Sequence, residues 1–395
     1  MLNYLDRFVL ASVLNPIGQS LHLNDAQLGR LAFVFLLVYL LAAPLFSYLA
    51  ERYSRTKLVA FGIFLWSLAT SAAALAHDFP TLLLTRALVG VGEAAYGTLG
   101  PAILADLYPE KARARVFTWF YLAIPVGSAL GYGLGGFIEG LAGWRASFLF
   151  TGLPGVILAL VFWRMQEPVL GALDGLLPGA EKETFGEKLK SLFRNRVWFA
   201  CTMSYVGYTF AMGGLSHWAP TLFQRLYNQS PTSAGMIFGG IAVLTGIVGT
   251  LLGGQLTDKW QTRYPNAGLW ISLVTLILSA PVIAFGLKQT EVVPAYVLWS
   301  IAMFLLFMNT SPLNALTVSS LPAQTRAIGM AMNIFLIHAL GDAISPELVG
   351  ERSMAAGSSG DALAGALMIC VPALVFAGLA LFFAFAGKKP SSTST

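Results

Sequence analysis

The sequence predicts an all-α membrane protein: twelve transmembrane helices in two pseudo-symmetric six-helix bundles. Three observations carry that reading. Of 395 residues, 56% are hydrophobic and 11% charged, with mean hydropathy +0.70, more apolar surface than a soluble chain of this length can bury. The apolar residues fall into runs of about 20, the length that crosses a bilayer as a helix. One long polar stretch, Glu167 to Arg196, divides those runs six and six.

In chain order the runs place spans at 2–21, 28–50, 57–76, 80–106, 113–141, 146–166, 197–225, 231–257, 267–288, 293–320, 324–350 and 361–386. The central stretch holds Glu181, Lys182, Glu183, Glu187, Lys188 and Lys190. The expected domains are therefore an N-terminal bundle over 1–166, a cytoplasmic linker over 167–196 and a C-terminal bundle with a short tail over 197–395. Lys and Arg placement orients the chain. With both termini cytoplasmic, 17 of the 24 basic residues fall in inner loops, five outside (Arg30, Arg145, Arg225, Lys288, Arg352) and two, Arg7 and Arg86, inside spans.

Composition also excludes classes. The net charge of +5 lies in loops between apolar runs and is no nucleic-acid signature. Cys201 and Cys370 sit within apolar segments and behave as small hydrophobes. Four dispersed histidines make no metal cluster. The first twenty residues do not suit a cleaved signal peptide, because Asp6 and Arg7 interrupt the apolar core. The chain starts almost inside its first span, so a short leading segment is expected to precede it. With no H-E-x-x-H, G-x-S-x-G or Cys/His cluster, no catalytic residue, metal or cofactor is expected, and a membrane-bound lipid enzyme is disfavoured. A channel is disfavoured too, since the buried charges are few and of both signs rather than ringed. Nothing predicts a soluble oligomerisation domain, and a monomer is expected.

The halves echo each other. Ser47 to Arg52 after span two matches Gly254 to Lys259 after span eight at an offset of 207, and Pro109 with Arg113 matches Pro322 with Arg326 at 213. The loop Ser47-Tyr48-Leu49-Ala50-Glu51-Arg52-Tyr53-Ser54-Arg55-Thr56-Lys57 resembles the signature loop of the major facilitator superfamily, G-x-L-[A/S]-[D/E]-R-[F/Y]-G-R-[K/R], with Ser47 and Ser54 at two of its glycine positions. The resemblance implies two parallel bundles with a central site. It also implies a cytoplasmic gate built from Glu51, Arg52, Arg55, Arg113 and Asp258. In span five, Gly127, Gly131 and Gly135 recur every four residues behind Pro125. Such a strip suits close helix packing; it is also similar to a span-five motif of antiporter branches, and both readings stand. Trp144-Arg145 with Phe148 is assigned to the fold.

Function is sought where charge enters a span, since an ionised group at bilayer depth costs at least about 3 kcal/mol. Asn3-Tyr4-Leu5-Asp6-Arg7 opens span one. Span four carries Arg86-Ala87-Leu88-Val89-Gly90-Val91-Gly92-Glu93-Ala94-Ala95-Tyr96; Arg86 and Glu93, seven apart, share a helix face. These motifs, with Ile103 to Pro109 after them, resemble the spinster family of the superfamily. Animal members export sphingosine 1-phosphate or lysophospholipids; the resemblance is to a bacterial-type member, which implies an inner-membrane location. A buried carboxylate is pulled towards its neutral form by desolvation and its charged form by a nearby cation, so Asp6 and Glu93 are the expected proton-coupling residues, trading partners with Arg7 according to protonation. Arg7 and Arg86, permanently charged forks suited to phosphate or carboxylate, are candidate substrate contacts with Tyr96, Asn314 and His338. The plainer alternative is a static ion-pair network.

Span ten gathers Asn309, Thr310, Ser311, Asn314 and Thr317 around Pro312, the residue types of a broken helix lining a cavity, although Thr310 and Thr317 read better as interhelical hydrogen-bond partners. Span eleven carries Asn333, His338 and Asp342, and span seven offers Tyr205, Tyr208, Phe210 and Trp218 as walls for an acyl chain. The expectation is a secondary transporter moving an amphipathic anionic lipid or lysolipid by alternating access, with protons as coupling ion. The rival keeps the fold and carries small organic anions or drugs.

Overall fold

A computed structural model describes residues 1–108, 110–168 and 185–387, with a few side chains near 105–122, 185–188, 323–327 and 385–387 left aside. The described residues are helical nearly throughout. The first half comprises α1 (Leu2–Leu21), α2 (Asp25–Leu49), α3 (Arg55–Ala72), α4 (Phe79–Leu107) and α5 (Glu110–Arg164). The second comprises α6 (Phe185–Arg194), α7 (Arg196–Leu226), α8 (Pro231–Gln261), α9 (Ala267–Gly286), α10 (Val292–Ser319), α11 (Ala323–Ile337), α12 (Ile344–Ala355), α13 (Gly360–Leu367) and α14 (Cys370–Gly387).

Nine segments of the described residues are long and apolar enough to cross a membrane. One of them, within α5, is 42 residues long and holds two crossings; α1 and α7, too polar for the same test, supply the remaining two of the twelve. Helix starts follow their caps. Asn24 and Gln27 close a reciprocal capping box on α2, Ser54 accepts from Lys57 N at α3, and Asp78 accepts from Thr81 N at α4. Hydrogen bonds from the Thr81 hydroxyl and then from its backbone N–H hold the Asp78 carboxyl below its ordinary pKa.

Three departures from the expected spans have local causes. Spans five and six form one helical run broken only at Gly143, whose φ of 80° is open to glycine. The helix α6 lies where the sequence shows only a polar linker; it is amphipathic, and its charges hide it from an apolar-run reading. Pro312 sits inside an unbroken α10, whereas span eleven is the interrupted one, with a π-turn at His338–Asp342 around Gly341.

The chain resolves into two compact units. The first takes residues 1–179, 216–243 and 346–363; the second takes 180–215, 244–345 and 364–395. The first therefore contains the C-terminal end of α7, the start of α8 and most of α12 together with the first-half helices. Within it, the glycine strip of α5 lies on α1: a Cβ at Gly127 would meet Met1 O at 2.5 Å, one at Gly131 would meet Leu5 O at 2.5 Å, and one at Gly135 would strike Ser12 Oγ. The strip is thus a packing surface that seats α1, and α1 carries Asp6 and Arg7.

Candidate functional site

Two glycines of the span-four motif aim its glutamate. A Cβ at Gly90 would strike the backbone of Phe35 on α2, and one at Gly92 would meet Gly62 O and Trp66 N on α3 at 2.5 and 2.7 Å. With α4 clamped between α2 and α3, the next residue, Glu93, turns towards α1 and is fully buried. There Arg7 Nε donates to Glu93 Oε2 at 2.6 Å. The guanidinium is flanked by the rings of Tyr4, Phe35 and Tyr39, 5.1, 4.8 and 5.3 Å from their centroids, contacts that favour a cation once water is removed.

Asp6 and Arg86 complete the cluster without joining that pair directly. Both are buried, and Arg86 interacts electrostatically with Asp6 and with Glu93; its Cζ stands 5.4 Å from the Phe148 ring centroid. Among the described residues, Asp6 Oδ1, Glu93 Oε1 and the Nε and Nη2 atoms of Arg86 are buried without a hydrogen bond of good geometry. Two guanidinium and two carboxyl groups thus meet in one buried site. Arg7 is the member that reaches the surface, with 19% of its side chain exposed. Tyr96, one turn beyond Glu93, packs edge-on to Trp66 and against Phe120.

A twelve-helix membrane fold with a carboxylate–guanidinium cluster between its first and fourth spans narrows the field. The family profile described as Major Facilitator Superfamily matches residues 1–346. Protein spinster homolog 1 of Xenopus tropicalis is 35% identical over 372 residues, covering 89% of this chain and 70% of that one. The human protein of the same description is 35% identical over 370 residues, with the same coverage. The chain belongs to the spinster family of the Major Facilitator Superfamily. A bacterial homologue of the human lysosomal transporter spinster, solved in an inward-facing, unoccupied conformation, superposes with a TM-score of 0.83 at 23% identity, covering 98% of this chain and 94% of that one. The protein is a multi-pass membrane transporter, not an enzyme.

The other expected site residues of the transporter fall elsewhere. Asn314, exposed, and His338 lie in the second unit. His338 Nδ1 pairs with Asp342 Oδ1 at 2.9 Å across the π-turn. The turn is braced by α7: Thr209 Oγ1 donates to Ile337 O at 2.8 Å, and Gly213 lets Asp342 approach. Tyr208 and Thr310 hydroxyls hydrogen-bond at 3.2 Å between α7 and α10, while Thr317 bonds within its own helix. Tyr205, Tyr208 and Trp218 are buried in helix packing.

Among the described gate residues, Arg55 is the one held by ion pairs. Its Nη1 reaches Asp106 Oδ2 at 2.5 Å, its Nε reaches Glu167 Oε1 at 2.7 Å and its Nη2 donates to Pro168 O at 3.0 Å. Glu167 also accepts from Ser54 Oγ, Thr56 N and Thr56 Oγ1. Partial burial opposes its charge, but those donors and Arg55 outweigh the burial and hold its pKa below the ordinary glutamate value. Glu51, Arg52 and Asp258 are exposed; Arg52 stacks on Tyr48. The Arg113 side chain lies outside the described residues. Sequence reading passed over Glu167 because it opens the polar linker, and Asp106 because it lies within a motif assigned to family resemblance. A buried arginine at a helix start demands carboxylate partners, and that demand is the signal that would have found both.

It also passed over a second cluster in the first unit. Arg225 Nη1 donates to both carboxylate oxygens of Asp25 at 2.8 and 2.9 Å, its Nε donates to Asn15 Oδ1, and Ser353 Oγ donates to Asp25 Oδ2 at 2.6 Å. Arg30 pairs with Glu347 beside it. Asp25, Arg225 and Ser353 stand near helix ends, where charges read as ordinary loop residues.

Proposed function

We propose that the transporter couples proton movement to translocation of an amphipathic anionic lipid or lysolipid by alternating access. The carrying observation is the buried Arg7–Glu93 pair, next to Asp6 and Arg86 with their unpartnered polar atoms. A proton on Glu93 removes the charge that holds Arg7, and the released guanidinium, already the exposed member, is then open to a phosphate or carboxylate head group. Asp6 and Arg86 offset each other, so protonation of Glu93 leaves one positive charge on Arg7, which the anionic head group then balances. The lipid class is supported by relatedness to spinster proteins and by the aromatic rings around Arg7, which suit a head group entering with apolar neighbours. The Lys and Arg distribution supports cytoplasmic termini.

Proteoliposome uptake of lysophospholipids, sphingosine 1-phosphate and small organic acids, with and without an imposed pH gradient, tests this reading. Lysolipid uptake stimulated at least about tenfold by the gradient, and lost in Glu93→Gln, is the expected result; tenfold corresponds to about 1.4 kcal/mol, the scale of one charge-assisted hydrogen bond. Glu93→Gln that folds and still follows the gradient overturns the coupling role. Small carboxylates that displace bound lysolipid and are themselves accumulated overturn the substrate class.

A further inference from the structure

A cavity of about 530 Å³ opens in the second unit where α6 meets α7 and α14 passes behind. Phe193 of α6, Phe199 and Met203 of α7, and Phe376 and Phe383 of α14 line it. Its volume is in the range of small-molecule sites, about 300–1,000 Å³. Arg196 is its one charged lining residue. The corner is rigid. Asn195 accepts from Trp198 N at 3.1 Å and donates to Ser320 O at 2.7 Å, while Leu192 is buried with Trp198 and Leu321. Arg196 is thereby fixed as the first residue of α7, exposed, with no side-chain hydrogen bond or ion pair among the described residues.

We propose that this groove binds an anionic glycerophospholipid of the surrounding bilayer, an acyl chain lying against Phe199, Met203, Phe376 and Phe383 and the phosphate resting on Arg196. The exposed apolar walls belong to membrane-crossing helices, so hydrocarbon is their ordinary neighbour. Selectivity comes from charge. Lys190 and Arg194 are exposed on the same short helix that leads into Arg196, and a basic group near a membrane surface favours an anionic lipid about fivefold. On the orientation set by the Lys and Arg distribution, the groove faces the cytoplasmic leaflet, where anionic lipids lie. The site is separate from the transport cluster, and its occupant is a resident lipid rather than cargo.

Native mass spectrometry of the full chain released from detergent, titrated with phosphatidylglycerol or phosphatidylcholine of matched chains, reads the binding directly. Phosphatidylglycerol is expected to bind at least about fivefold tighter, Arg196→Gln to cut that preference about fivefold, and Leu379→Trp, at an exposed lining position, to weaken both. Melting curves confirm that each variant is folded. Equal retention of the two lipids by the unmodified chain, or a preference undiminished by Arg196→Gln, overturns recognition of the phosphate by Arg196. Binding untouched by Leu379→Trp places the lipid elsewhere and overturns the site. No substrate or pH gradient enters the measurement, so its failure leaves the transport reading standing.

Discussion

At the scale of single residues, chemistry and geometry part company in an instructive way. Helical periodicity puts Arg86 and Glu93 on one face, and both are indeed buried in the same cluster. Periodicity has no bearing on which helix lies opposite, so it does not announce that Glu93 pairs with Arg7 across 86 residues of chain. Because the bond is made by Nε of a planar fork between three rings, Arg7→Lys keeps the charge but loses the geometry. Gradient-driven uptake in that variant is expected to fall about tenfold, the equivalent of one charge-assisted hydrogen bond; uptake at the unmodified rate would mean that charge alone suffices. The Glu167 latch carries a pH dependence of defined sign. Its pKa is lowered in the folded chain, so the stabilisation is present above the ordinary glutamate value and is lost as pH falls through the folded value. Amide hydrogen exchange at the start of α3, Ser54 to Lys57, is expected to quicken as pH falls below about 4.3, after correction for intrinsic exchange, and to be insensitive to that fall in Glu167→Gln.

At the scale of elements, most spans were legible because bilayer thickness imposes a length and an apolar content that no soluble helix shares. What was not legible follows from physics that a run of apolar residues does not encode. The break of span eleven depends on Gly341 and on Thr209 of another helix caring for Ile337 O. The α6 helix is stabilised by Leu192 meeting Trp198 and Leu321, a tertiary contact. The α5 glycine strip was legible as packing, and the structure names α1 as its partner. Gly131→Ala is therefore expected to destabilise, since the new Cβ meets Leu5 O at 2.5 Å and Phe8 Cβ at 2.8 Å; overpacking of this kind costs about 1–3 kcal/mol. Gly133→Ala, whose Cβ meets nothing within 4 Å, is the paired control. Thermal unfolding in detergent should show a lowered midpoint for the first and an unchanged or raised one for the second. Equal midpoints would show that the strip does not seat α1.

At the scale of the whole molecule, alternating access requires that one end of the transporter be shut by contacts that can be undone. In the first unit, Asp25 at the start of α2 is held by Arg225 near the end of α7 and by Ser353 of α12, and Gln224 Nε2 donates to Ser12 O of α1 at 3.2 Å. Those bonds tie second-half helix ends to first-half ones at the end opposite the N-terminus. Asp25 is almost fully buried, so removing its charge leaves Arg225 without its partner, a change that costs about 3–5 kcal/mol when both members are buried and less here, where Arg225 is partly exposed. Every 1.4 kcal/mol lost by the closed arrangement multiplies the open population about tenfold. Ser12 is fully buried beneath this clasp, and the native cysteines Cys201 and Cys370 are buried as well. A Ser12→Cys chain should therefore react slowly with a membrane-impermeant maleimide, and adding Asp25→Asn should speed labelling by at least about tenfold. Unchanged labelling would mean that the cluster decorates that end of the molecule without holding it shut, and that closure is carried by the glycine contacts of α5 with α8 instead, where Gly136 and Gly235 bring the two backbones together.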